Sequence, residues 1–274
     1  MGQPSTLNPL PSTSHTAPAP VSGHSPPAAY YSHTRAELLP FIPPGVQTVL
    51  DLGCGDGAFG QLLRRQRGCR VTGVEPCPAA FAVAAARLHS AHLASAETFL
   101  AVCADRFDLI CCNDLLEHLV DPWAQLRACR RLLDPAGGFV LASVPNIRFY
   151  FALKEIILHA DFPYQPAGTF DRTHLRFFTR KSLRRLFAES GYAVTCCQGI
   201  NQLRSRRFAW PNRLLFGLLD DLLSPQFAIL ASPLARRSEL QPQADLFRAT
   251  ETNAGRGAPK RSGDGLESPI AGPA

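Results

Sequence analysis

The chain has 274 residues, 46% of them hydrophobic, with 24 prolines and a formal net charge of +6. That length allows one large or two small domains, and the sequence has no run of 18 or more apolar residues, so no membrane-spanning helix is expected. The positive balance comes from small arginine groups, not from a basic stripe interleaved with aromatics, so no nucleic-acid partner is expected.

Residues 1–29 carry no Asp, Glu, Lys or Arg and are rich in Pro, Ser, Ala and Thr. Such a segment buries too little apolar surface to offset the entropy of ordering it, so a disordered N-terminal tail is expected. A similar composition returns over residues 236–274, which leaves one domain over 30–235. Within it the periodicities alternate. Thr48 to Leu52 reads as a strand, Ala58 to Arg67 as a helix, Arg70 to Val74 as a second strand, and Pro78 to His89 as an alanine-rich helix. A weak third strand is expected near His92 to Ala96. Phe107 to Asn113 is a continuous apolar run, as in a parallel strand covered on both faces. Asp121-Pro122 opens a helix to about Leu133, with Asp as N-cap and Pro in the first turn. Phe139 to Val144 is a fifth strand, Lys181 to Ser190 a helix stopped by Gly191, and Tyr192 to Cys197 and Phe227 to Ala231 are closing strands. This is the alternation of an α/β, doubly wound sheet with an insertion at 146–179.

The cysteines, nine in all, form no C-x-x-C pair and no zinc-finger spacing; most suit buried thiols in a reducing compartment. The N-terminus lacks a basic flank followed by an apolar core, so a cytoplasmic location is expected. No cluster of His and carboxylates is visible along the chain, and no metal dependence is expected.

The most informative stretch is Val49-Leu50-Asp51-Leu52-Gly53-Cys54-Gly55-Asp56-Gly57-Ala58, an apolar strand turning through three glycines into a helix. Two cofactor classes use this layout. A dinucleotide would lay its pyrophosphate at the helix N-terminus, where Asp51 and Asp56 would repel it. A cofactor bearing an ammonium, a sulfonium and ribose hydroxyls would be attracted by the same carboxylates. Glu75, at the end of the second strand and about 20 residues after the glycines, stands where an acid accepts hydrogen bonds from ribose.

The segment resembles motif I of the class I S-adenosylmethionine (SAM)-dependent methyltransferases, in the branch of the ubiquinone-type and other small-molecule methyltransferases. The resemblance runs from about residue 30 to 200 and implies a Rossmann-like seven-stranded sheet with its last strand antiparallel. It further implies that Asp51, Gly53, Cys54, Gly55, Asp56 and Gly57 form the loop beneath the methionine and ribose parts of SAM. Ser95 stands where the family usually offers an Asp to the adenine amino group, and Asn113 lines the methyl-donor end. Arg35, in the lead-in Tyr30-Tyr31-Ser32-His33-Thr34-Arg35, is expected to pair with the methionine carboxylate. Leu115-Leu116 stands in place of the Pro-Pro turn of amino-group methyltransferases, which points to a hydroxyl or other small-molecule acceptor. Glu117 and His118 could form an acid/base pair near the substrate, but adjacent helical positions point different ways, so packing or loop-anchoring roles are expected of them.

The insertion carries an apolar aromatic segment, 147–158, suited to peripheral contact with a lipid-linked acceptor or a partner surface. It also carries Asp171-Arg172-Thr173-His174-Leu175-Arg176-Phe177-Phe178-Thr179, which resembles a signature of bacterial methyltransferases of glycan pathways and implies a glycan-type or small-molecule acceptor. As a lid it brings His174 as candidate general base, oriented by Asp171. Two other readings stay open on the residues alone: a SAM-binding protein without turnover, and an NAD-dependent oxidoreductase using the same glycine turn.

Overall fold

The computed structural model describes residues 34–203 and 220–234. The expected tails, residues 30–33 of the lead-in and the group Arg204, Arg206 and Arg207 lie outside them. The described residues up to Ser232 form one compact unit, and among them no helix is long and apolar enough to cross a membrane.

Alternation of side chains along the strands builds two cores at once. Leu50 and Leu52 of β1 (Thr48–Leu52) join one buried cluster, while Val49 joins the other. In β4 (Leu109–Asn113), Ile110 and Cys112 face the first cluster and Leu109 and Cys111 the second. Such strands are apolar throughout because both faces are covered. On one face lie α3 (Ala96–Val102), α4 (Pro122–Leu132) and α6 (Arg180–Glu189). The other face carries a short 3-10 helix (Ala36–Phe41), α1 (Ala58–Arg67) and α2 (Pro78–Arg87).

The seven strands run in the order β3-β2-β1-β4-β5-β7-β6. Here β2 is Arg70–Glu75, β3 Ser90–Leu93, β5 Phe139–Pro145, β6 Tyr192–Ile200 and β7 Gln226–Pro233. β1 pairs in parallel with β2 and β4, β2 with β3, and β4 with β5, whereas β7 runs antiparallel to β5. The order reverses between β1 and β4, and in such sheets ligands bind beyond the carboxyl ends of the strands at that point.

Helix ends follow the local chemistry. Asp121 caps α4 by accepting from the Ala124 N–H at 2.9 Å, and Thr179 and Ser182 form a reciprocal capping box on α6. The third strand differs from expectation. It lies at Ser90–Leu93, and the Ser95 hydroxyl instead caps α3 by accepting from Thr98 N–H at 3.2 Å. β3 is an edge strand with largely exposed side chains, so it carries no apolar run to announce it. The insertion also forms a helix, α5 (Tyr150–Leu158), and a last turn, α7 (Asp220–Leu223), precedes β7.

Candidate active site

The glycine loop follows β1 directly. Gly53, Gly55 and Gly57 have φ of 71°, 55° and 77°, a left-handed conformation that side chains disfavour. The loop is tied to the next strand: Gly53 and Cys54 N–H donate to the Val74 carbonyl at 2.8 and 3.1 Å. Glu75 then reaches back, accepting from the Gly55 N–H and the Cys77 N–H, each at 2.9 Å. The carboxylate expected to bind ribose therefore also holds the loop in shape.

Asp51 and Glu75 are buried, at 2% and 5% exposure. Burial, then the charge of Glu75, pushes the Asp51 carboxyl up to about 7. Burial also raises Glu75, against the pull of its two backbone donors. Two acids that resist ionisation side by side make a site that favours a cation and disfavours a phosphate. Asp56 is engaged otherwise: it pairs with Arg87 at 2.6 Å and accepts from the Ala58 N–H at 3.0 Å, fixing the start of α1 against α2.

At the tip of β4, both polar atoms of the Asn113 side chain are buried without a hydrogen-bond partner. A buried amide left so calls for an explanation, and a polar ligand would supply the missing partners. Its neighbour Asp114 forms an ion pair with Arg35 and accepts from Gln226 Nε2 at 3.0 Å and from the Ser143 hydroxyl at 3.2 Å. Arg35, with φ 49°, also donates to Gln226 Oε1 at 3.3 Å. It thus sits at the carboxyl end of the sheet, where a cofactor carboxylate would compete with Asp114 for it.

The 146–179 insertion is tied to Glu117, whose backbone carbonyl accepts from Leu175 and Arg176 N–H at 2.8 and 3.0 Å. Its side chain does something else. The carboxyl is 1% exposed, neither oxygen has a partner, and burial pushes it up to about 8. The expectation that Glu117 and His118 diverge is overturned: they lie on a 3-10 turn, Leu116–His118, and ligand atoms of Glu117, His118 and His174 lie within 4.8 Å of one another. The His118 and His174 rings meet edge to face at 4.8 Å.

Backbone carbonyls fix both rings. His118 Nδ1 lies 3.3 Å from the Thr173 carbonyl and 3.1 Å from the Thr173 hydroxyl, while His174 Nδ1 lies 3.3 Å from the Thr169 carbonyl. A carbonyl only accepts, so Nδ1 carries the proton in each ring and Nε2 offers its lone pair. The Thr173 hydroxyl, in turn, donates to Asp171 at 2.7 Å, and the same Asp171 oxygen accepts from the Thr173 N–H at 2.8 Å. Asp171 therefore orients His118 through Thr173, a link not legible in the sequence. Burial lowers the affinity of both histidines for a second proton, and for His118 the neighbouring His174 adds to it.

The methyltransferase domain family matches residues 27–196. The chain belongs to that family. Ubiquinone biosynthesis O-methyltransferases of Aromatoleum aromaticum and Pseudomonas paraeruginosa are 34% and 35% identical over 151 and 147 residues, 52% and 50% of this chain. The match spans 62% and 60% of those two relatives, about three fifths of their length. Among solved structures, a SAM-dependent methyltransferase from Archaeoglobus fulgidus superposes with TM-score 0.53 at 21% identity, covering 72% of this chain and 91% of its own. One from Mesorhizobium loti gives 0.50 at 18% identity, covering 71% and 95%. The chain thus has the expected class I methyltransferase fold, with SAM as its cofactor, and the buried acids Asp51 and Glu75 and the unpartnered Asn113 lie at the carboxyl ends of β1, β2 and β4. In this methyltransferase domain the Ser95 hydroxyl, by contrast, caps α3, with hydrogen bonds to the N–H and the hydroxyl of Thr98.

Proposed function

We propose that this methyltransferase moves the methyl group of SAM to a hydroxyl oxygen of a small-molecule acceptor bound beneath the 146–179 lid. When bound, SAM supplies a methyl carbon on a positively charged sulfur, and the leaving group is a neutral thioether. The chain then has three tasks. Asp51 and Glu75 hold the cationic cofactor, with Arg35 and Asn113 at its methionine end. The lid excludes water and fixes the acceptor in line. His174 Nε2, unprotonated near neutral pH, takes the hydroxyl proton as the oxygen attacks.

The observation that carries this reading is the pair of histidine rings at the base of the lid, each with its Nδ1 against a backbone carbonyl and its Nε2 left for an acceptor. The O-methyltransferase relatives support an oxygen acceptor. Phe151, Ile157 and Leu158 on α5 and Tyr164 beside it are exposed, which supports an apolar or lipid-linked acceptor more than a free sugar. The test is a panel of phenolic quinone precursors, lipid-linked hydroxyls and nucleotide sugars with labelled SAM, run on parent and His174→Ala. Turnover on a hydroxyl acceptor that drops on the order of 100-fold in the variant, with SAM affinity kept, is expected. Equal turnover in both proteins would remove His174 from the chemistry.

A further inference from the structure

We propose that Glu117, His118 and His174 bind a divalent transition-metal ion of the zinc type. Three independent observations converge on it. The ligand atoms already lie within 4.8 Å of one another. A tetrahedral ion with bonds of about 2.1 Å needs them roughly 3.4 Å apart, a change within reach of side-chain torsions. Next, the Glu117 carboxyl is buried with two unpartnered oxygens, and its neighbours in the cluster are two imidazoles. An unpaired acid so placed is costly on its own and is resolved by a cation.

The third observation is the arrangement behind the histidines. A metal-bound imidazole almost always donates its other ring N–H to a carbonyl or carboxylate, which fixes its tautomer and orientation. Both histidines have that arrangement through Nδ1, to the carbonyls of Thr173 and Thr169, and His118 is further linked through the Thr173 hydroxyl to buried Asp171. Two imidazoles and one carboxylate form a set that leaves coordination positions open for water or a substrate oxygen. A cation there occupies the Nε2 lone pairs, so it supplants His174 as proton acceptor. An acceptor hydroxyl bound to it would have its acidity raised by the ion and would give its proton to bulk water as it binds, before the lid excludes water. Metal binding does not depend on the methyl-transfer reading, because the cluster lies on the lid side and not on the glycine loop.

The experiment is a Co2+ titration of the tag-free full chain, read by its visible absorption and by Zn2+ displacement in calorimetry. One Co2+ per chain with nitrogen and oxygen ligation, displaced by Zn2+ with proton release, is expected. Glu117→Gln and His174→Asn should each weaken uptake on the order of 100-fold, and Thr173→Val, which only loosens His118, about 10- to 100-fold. Circular dichroism checks that each variant is folded, and the parent titration stands even where one is not. Absence of stoichiometric uptake by the parent would overturn the site. So would thiolate-to-cobalt absorption, or full uptake by the His118→Ala/His174→Asn double variant, either of which assigns the ion to cysteines. SAM calorimetry on the same samples separates the two proposals: SAM bound without metal leaves methyl transfer intact and removes only the ion.

Discussion

Replacing Glu75 with Gln separates what its charge does from what its shape does. The carboxylate has about four lone-pair sites, and two already accept from Gly55 and Cys77 N–H at 2.9 Å. The remaining two are the ones the proposed SAM pose gives to the ribose hydroxyls. Glutamine keeps the volume but turns one oxygen into an NH2 group, which then meets a backbone N–H donor head on. In the proposed complex the ribose loses one charge-assisted hydrogen bond and meets an NH2 donor in its place, a loss of about 3 kcal/mol of binding. That corresponds to a SAM affinity weaker on the order of 100-fold. The unliganded protein should respond differently. Burial holds the Glu75 carboxyl above its ordinary range, so a neutral isostere relieves part of that cost, while the loop N–H that meets its NH2 group loses an acceptor; the two effects oppose each other and the melting temperature should change far less than the SAM affinity. Calorimetry with SAM and a melt without it, on parent and variant, give both numbers. A folded variant that binds SAM within threefold of the parent would refute the assignment of Glu75 to the cofactor.

Further outcomes concern pH and packing. Asp51 and Glu117 bind protons more tightly folded, at about 7 and about 8, than unfolded near 4. Their contribution to stability is complete below pH 4 and is lost as pH rises through those values, so the unliganded melting temperature should decline from pH 5 to 8. Glu117→Gln should flatten the upper part, and a curve unchanged by that substitution would contradict the buried uncharged acid. Gly57→Ala asks a residue at φ 77° to carry a Cβ within 3.2 Å of Ala84 and Leu88. About 1–3 kcal/mol of stability should be lost in urea titration, and an unchanged midpoint would deny the close approach of α1 to α2. Tyr192→Phe removes a buried hydroxyl that donates to the Leu126 carbonyl at 2.7 Å, for about 1–2 kcal/mol and a melting temperature lower by roughly 3–6 °C. A melt equal to that of the parent would mean the carbonyl does not miss its partner.

What the sequence disclosed is what is encoded locally. β1, the glycine loop and Glu75 lie within 30 residues, and their turn chemistry, spacing and apolar run all point the same way. The strands buried on both faces announced themselves by composition. β3 did not, because an edge strand with exposed side chains has no apolar pattern, and the cap that Ser95 makes on α3 is not separable along the sequence from a binding role, since both use the same hydroxyl. The convergence of Glu117, His118 and His174 was invisible for another reason. Its members are more than 50 residues apart in part, and whether neighbours 117 and 118 face together depends on a 3-10 turn in place of an α-helix. The pairing of Arg35 with Asp114, 79 positions along, needed the sheet to be assembled first.

β7 is the last of the described strands in the chain, yet it lies inside the sheet between β5 and β6. During synthesis, a ribosome that has released everything through Ile200 has delivered both neighbours and not the strand that joins them. Until Gln226–Pro233 follows, β5 presents a bare interior edge, with the apolar surfaces meant for Phe227 and Ile229 uncovered. Unpaired edges of that kind recruit strands from other molecules. The nascent protein therefore has a vulnerable interval that ends only when its closing segment is threaded home, and truncations upstream of residue 226 should aggregate, not yield a smaller working enzyme.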